Sequence, residues 1–338
     1  MKKDSRNIIK QQIADKNMSH IYLLFGEEDF LKDEYAARIK KAVYGGDFPE
    51  FNSIVLPENA GIAETDSAFE TCPMMSDTKF ILIKDSGIFS APKLPDEIRE
   101  FWKKRLADVP EYTYAVFVER NADKRGTLYK TVSKNHTAAE FPRMNSGELT
   151  AWTERKMLTN KRMIKKEDAL YICALCSNNL MLINSECDKL ISYTSETVSR
   201  GDIDRVVSKS PEIRIFDITD GIIEGDPKKV LQTLDDLNTQ NTSALQILYI
   251  LSGTFDKMLQ CRLMLEDAYS VGETAAALSL PEFIAKKYIS GAKRFDTDFL
   301  ESMIIRTAET DLSIKQGRMS DRAALDRYVI EGLRSFKK

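Results

Sequence analysis

Five short runs rich in β-branched and aromatic residues recur through the first 142 residues, and they limit the fold more than any other feature. They are HIYLLF (20–25), FNSIVL (51–56), KFILIK (79–84), YTYAVFV (112–118) and AAEFP (138–142). Each has the length of a strand and is too short for a stable helix. The stretches between them are helical in character. Asp29 is placed to cap a helix whose Leu31, Tyr35, Ile39 and Val43 share one face. A second helix is expected from about Ile62 to Thr71, limited by Pro73. Strands alternating with helices read as βαβ units, which build a mostly parallel sheet with helices on both faces.

From about Asn145 the strand signals stop. SGELTAWTERKML, with Ser146 as its expected N-cap, opens a run of helices that continues through KEDALYICALCSN, LMLINSECDKLISYT and DIDRVVSK. Pro211 is expected to break the chain, and seven more amphipathic stretches follow it. The expected fold class is thus α/β plus all-α. An α/β domain covers 1–142, a small helical domain 143–210 and a larger helical bundle 211–338.

Composition narrows the function. The 338 residues are 43% apolar and 30% charged, as in soluble globular chains. No apolar run reaches the roughly 18 residues of a membrane span, and the start, MKKDSRNIIKQQIADK, has no apolar core of a secretory signal. A cytoplasmic protein with no membrane partner is therefore expected. Lys and Arg total 49 against 52 Asp and Glu, which disfavours nucleic-acid binding through bulk charge. Five cysteines without a paired framework suit a reducing compartment. Cys173, Cys176 and Cys187 lack a fourth ligand nearby, and His20 and His136 are the only histidines, so neither a metal site nor histidine catalysis is expected.

The first strand ends in a turn that reads Gly26-Glu27-Glu28-Asp29-Phe30-Leu31-Lys32-Asp33. A P-loop at this place needs a second glycine and a Lys-Ser/Thr pair for phosphates and magnesium. Neither is present, and three successive carboxylates repel a triphosphate. The third strand ends Ile83-Lys84-Asp85-Ser86, keeping an acidic residue but lacking the Glu that would activate water. Gly26, Glu27 and Glu28 thus mark a degenerate nucleotide site, and no cofactor is expected.

These features bring a family into view. IYLLFGEEDFLKDE (21–34), ETCPMMSDTKFILIKDSGIF (70–89), DKRGTLYK (123–130), SKSPEIRIFDITDGIIEGD (208–226), AKKYISGAKRF (285–295) and DLSIKQG (311–317) resemble, in order, segments of the delta subunit of the bacterial DNA polymerase III clamp loader. The resemblance implies an AAA+-like α/β domain, a helical lid and a collar bundle. It also implies a non-catalytic member of a hetero-pentameric loader, within a DNA-directed DNA polymerase (nucleotidyltransferase) holoenzyme. Its partners would be the sliding clamp, the other loader subunits and primer–template DNA. Its task would be to bind the clamp and hold the ring open. The family's clamp-binding plug maps onto Pro73, Met74 and Met75, with Met74 where the family often has an aromatic; Lys315 and Arg318 fall where the family lies close to DNA.

The alternative reading is a helix-turn-helix DNA-binding regulator. TAAALSLPEFIAKKYISGAKRF (274–295) carries Lys286, Lys287, Lys293 and Arg294 on its second helix, with Pro281 at the turn.

Overall fold

The computed structural model describes residues 5–44, 51–58, 60–90, 94–239, 242–280 and 282–336. The chain divides into two units, Met1–Met144 and Asn145–Lys338.

The first unit runs α1 (Ser5–Ala14), β1 (Ile21–Phe25), α2 (Asp29–Tyr44), β2 (Ser53–Leu56), α3 (Ile62–Glu70), β3 (Lys79–Lys84), α4 (Asp96–Ala107), β4 (Thr113–Glu119), α5 (Thr127–Asn135) and β5 (Thr137–Glu140). All five expected strands form, in one parallel sheet of order β2-β3-β4-β1-β5. β1 sits between β4 and β5, with Leu23 opposite both Phe117 and Ala138. Every residue of β1 is buried. That full burial explains why its sequence is a continuous apolar run rather than an alternating one.

One face of the sheet carries Ile21, Leu23, Ile81, Ile83, Ala115 and Phe117 into a core with Phe69, Phe89 and Trp102. The rings of Phe69, Trp102, Phe117 and Phe89 meet edge to face at 5.2–6.2 Å, the geometry that aromatic quadrupoles favour. Leu31, Tyr35 and Ile39 of α2 are buried as expected, while Val43 is half-buried. Asp29 is the first residue of α2 rather than its cap; the Lys32 amide bonds the Glu28 carbonyl one residue earlier.

The second unit contains α6 (Ser146–Thr159), β6 (Met163–Ile164), α7 (Lys166–Leu175), α8 (Leu180–Tyr193), β7 (Thr197–Val198), α9 (Arg200–Val206), α10 (Pro211–Glu224), α11 (Pro227–Thr239), α12 (Ala244–Glu266), α13 (Val271–Ala277), α14 (Glu282–Arg294), α15 (Thr297–Lys315) and α16 (Asp321–Phe336). Three local readings change here. Asn145, not Ser146, caps α6: its side chain accepts from the Glu148 amide while the Glu148 carboxylate accepts from the Asn145 amide, a closed capping box. Pro211 begins α10 rather than only breaking the chain, because the first helical position needs no amide donor. The pair β6–β7 is only two residues long in each strand, too short to leave a periodic signal.

Candidate functional site

The segment from Thr71 to Thr78 links α3 to β3 and is held at three places. Asn52, buried before β2, grips Met74 from both sides: the Met74 amide donates to Asn52 Oδ1 at 2.7 Å, and Asn52 Nδ2 donates to the Met74 carbonyl at 2.8 Å. Thr78 Oγ1 donates to the Val43 carbonyl at 3.0 Å. Lys79, buried at the start of β3, donates from Nζ to the Ala68 carbonyl at 2.6 Å and to the Thr71 carbonyl, closing the C-terminal end of α3. Three anchors, at Thr71, Met74 and Thr78, on this short link leave the backbone little freedom.

The side chains at the tip face solvent. Met74 is 63% exposed and Met75 83% exposed, so neither belongs to the core. Met75 has φ +51°, a left-handed conformation that costs a residue with a Cβ on the order of 1 kcal/mol. The paired Asn52 bonds hold this turn and aim two adjacent thioethers outward. Unbranched, polarizable methionines suit a shallow apolar pocket on another protein. Phe51 and Val55, at and beside the sheet edge, are also exposed.

Burial lowers the pKa of Lys79 to about 8. Between that value and the usual lysine value of about 10.4, the unfolded chain keeps a proton that the folded chain has lost. Stability from this group therefore rises as pH increases from 8 toward 10. The expected gain is about 2–3 kcal/mol, read as the pH-dependent difference between the wild type and Lys79→Met in urea titrations. A difference that stays flat across this window would refute the buried ammonium.

The turn after β1 lies at the C-terminal edge of the sheet, where open α/β folds bind ligands. Gly26 has φ +125°, and a Cβ there would lie 2.3 Å from the Phe141 carbonyl oxygen. The Glu28 amide donates to that same carbonyl at 3.0 Å. Lys32, 1% exposed, fills the inside of the turn: Nζ donates to the carbonyls of Gly26 at 2.6 Å and Glu119 at 2.9 Å, and pairs with the Asp29 carboxylate at 2.9 Å. The Glu27 carboxylate lies 3.5 Å from Arg143. Burial raises the Glu28 pKa, against the pull of Arg143.

At the end of β4 the buried Glu119 carboxylate accepts from the amides of Ser86 at 3.0 Å and Gly87 at 3.2 Å, and from the Ser86 hydroxyl. Burial raises its pKa, partly offset by those three donors. Asp85, which follows β3, pairs with Arg120 at 3.6 Å. The acidic groups at this edge are thus engaged by protein donors and cations.

Lys315 and Arg318 straddle the end of α15. Gly317, at φ +69°, makes a left-handed stop, and the Arg318 amide returns to the Ser313 carbonyl. The Lys315 ammonium is bound to Asp311 at 2.6 Å, which also accepts from the Tyr249 hydroxyl at 2.7 Å. Of the two, only Arg318 shows no side-chain partner among the described residues.

The 274–295 segment forms α13 and α14, while Pro281 lies outside the described residues. α14 turns Ala285, Tyr288, Ile289 and Ala292 into the bundle. Lys286 pairs with Glu282 at 2.8 Å and Lys287 lies 5.3 Å over the Phe216 ring.

Cys173, Cys176 and Cys187 are buried in the second unit, and burial raises all three thiol pKa values, that of Cys187 to about 12. Among the described residues no helix is long and apolar enough to cross a membrane.

Comparison with known proteins then decides the family. Residues 22–141 match the profile of the DNA polymerase III delta subunit, and residues 212–331 match that of its C-terminal domain. The chain belongs to the DNA polymerase III delta subunit family. Relatives of this delta-type chain include DNA polymerase III subunit delta of Bacillus subtilis (strain 168), 24% identical over 330 residues and covering 94% of each chain. A probable DNA polymerase III subunit delta of Aquifex aeolicus (strain VF5) is 22% identical over 304 residues, covering 86% of this chain and 85% of its own. The solved DNA clamp loader delta protein of Bacillus subtilis superposes with a TM-score of 0.64 at 23% identity, covering 97% of this chain and 99% of that one. It shares the fold: a parallel-sheet α/β part followed by helices. The delta family places the chain in DNA replication as a non-catalytic subunit of DNA polymerase III, and none of the comparisons supports a helix-turn-helix regulator.

The candidate site rests on residues that carry no sequence signal of their own. Asn52 reads as one polar residue before a strand. Lys32 and Lys79 read as solvated charges. Only the 22-residue separation closed between Asn52 and Met74 reveals the clamp on the tip.

Proposed function

We propose that this chain binds the sliding clamp through Pro73, Met74 and Met75 and holds the ring open for loading onto primed DNA. The observation that carries the proposal is the outward display of two methionines on a backbone fixed by Asn52. A tip that is already ordered loses little entropy on docking. Opening a closed ring requires free energy, and a subunit that prefers the open ring supplies it as differential affinity.

In this reading the chain hydrolyses no ATP. Lys32 fills the Gly26 turn, the Glu28 amide is committed to Phe141, and Glu27 and Glu28 oppose a triphosphate; these features support a degenerate nucleotide site. ATP acts in sister subunits of a cytoplasmic hetero-pentamer. Residues 143–210 serve as the lid and 211–338 as the collar, with Arg318, and Lys315 once released from Asp311, near primer–template DNA.

The test is a binding titration of the full chain against its host's sliding clamp. Met74→Ala/Met75→Ala is expected to weaken binding by roughly 10- to 100-fold, or about 1.4–3 kcal/mol. Both side chains are exposed, so the fold is retained. Unchanged affinity would remove this segment from the interface.

A further inference from the structure

A groove of about 770 Å³ opens on the first unit between α1, α2 and the start of β4. No residue of the 71–78 segment or of the Gly26 turn lines it, although it borders the former where Thr78 bonds the Val43 carbonyl. Its size falls within the range of pockets that hold small ligands or a few side chains.

Two helices build it. Gln12 Nε2 donates to Thr137 Oγ1 at 2.9 Å and to Ser19 Oγ at 3.0 Å, which pins α1 to the edge of the sheet. Lys16, at φ +54°, ends α1 and turns the chain toward β1. From the α1 side come Lys10 and Lys16. From α2 come Tyr35, Arg38 and Lys41, spaced by three and so on one face. The floor is aliphatic, made by Ile13, Met18, Ala42 and Val43.

The charge around this groove is one-sided. Glu34 pairs with Arg38 at 2.5 Å. Among the described residues no carboxylate pairs with Lys10, Lys16 or Lys41, and all three are exposed. Four of the lining residues are cations and none is a carboxylate, in a chain whose overall charge is −3. Clustered cations over low-dielectric walls concentrate anionic partners.

We infer that this groove receives an acidic protein segment carrying one apolar anchor side chain. Carboxylates pair with the cations at the rim, and the anchor enters the aliphatic floor. A nucleic-acid strand fits less well, because bases need open ring faces to stack on. Tyr35 is buried, and Tyr114 already stacks on His20 at 4.8 Å.

A random dodecapeptide phage library selected on the immobilised full chain tests this. The expected consensus has Asp or Glu on both sides of a Phe, Leu, Ile or Met. The consensus peptide is then titrated against variants. Lys10→Glu/Lys41→Glu is expected to weaken it at least tenfold and to flatten its salt dependence. Ala42→Trp, which fills the floor without changing charge, is expected to weaken it as much with the salt dependence intact. Circular dichroism checks that both variants fold. The inference is overturned if the library yields no acidic–apolar consensus, or if both variants bind the peptide normally. It is also overturned if a twelve-residue oligothymidylate displaces the peptide from this groove and binds it more tightly.

Discussion

Gly26→Ala is expected to destabilise the first unit by at least about 4 kcal/mol, the range of severe single substitutions. Two independent terms add. The backbone at φ +125° lies where a residue with a Cβ is strained. The new Cβ would also lie 2.3 Å from the oxygen, 2.7 Å from the carbonyl carbon and 2.9 Å from the nitrogen of Phe141. Phe141 cannot withdraw cheaply. Its amide donates to the Phe25 carbonyl at 2.7 Å, and its carbonyl accepts from Glu28. Urea titration in a Trp152→Phe background, with Trp102 as the remaining tryptophan, reports the first unit alone. A loss below about 1 kcal/mol would show that the turn can relax away from β5.

Lys32→Met keeps the length and apolar stem of the side chain but deletes the ammonium. The carbonyls of Gly26 and Glu119 then lose their donor inside a buried turn. Each unsatisfied buried acceptor costs about 1–3 kcal/mol, so the expected loss is roughly 3–5 kcal/mol. Opposing it, the methionine no longer carries a charge that must leave water. The same titration of Trp102 fluorescence decides the balance. An unchanged midpoint would mean that desolvation of the ammonium cancels its bonds, and the turn would then need another explanation for its closure.

Both substitutions concern a place that looks, in the sequence, like an impaired phosphate loop. The missing Lys-Ser/Thr pair and the row Glu27-Glu28-Asp29 are legible without a structure. What replaces the phosphate is not. Lys32 stands three residues after Asp29 and reads as an ordinary helix-surface pair. Its burial depends on the ends of β1 and β4 meeting beneath it, and the end of β4, at Glu119, lies 87 residues away in sequence. Met74 and Met75 show the same limit from the other direction. Apolar residues beside a helix end are commonly core, and nothing local says that this pair is turned outward.

The strands, most helix boundaries and the parallel character of the sheet were readable because hydrophobic periodicity is a local property of the chain. So were the family segments, since each is a contiguous run of residues. The cap of α6 slipped by one residue because the neighbouring Asn145 and Ser146 can each accept the free amides, while at α2 the helix already includes Asp29. Only the tertiary structure decided which lysines are buried, which methionines face water and which cations gather into a groove. Those outcomes depend on segments far apart in sequence closing to within a hydrogen bond of one another, and no window along the chain contains both partners.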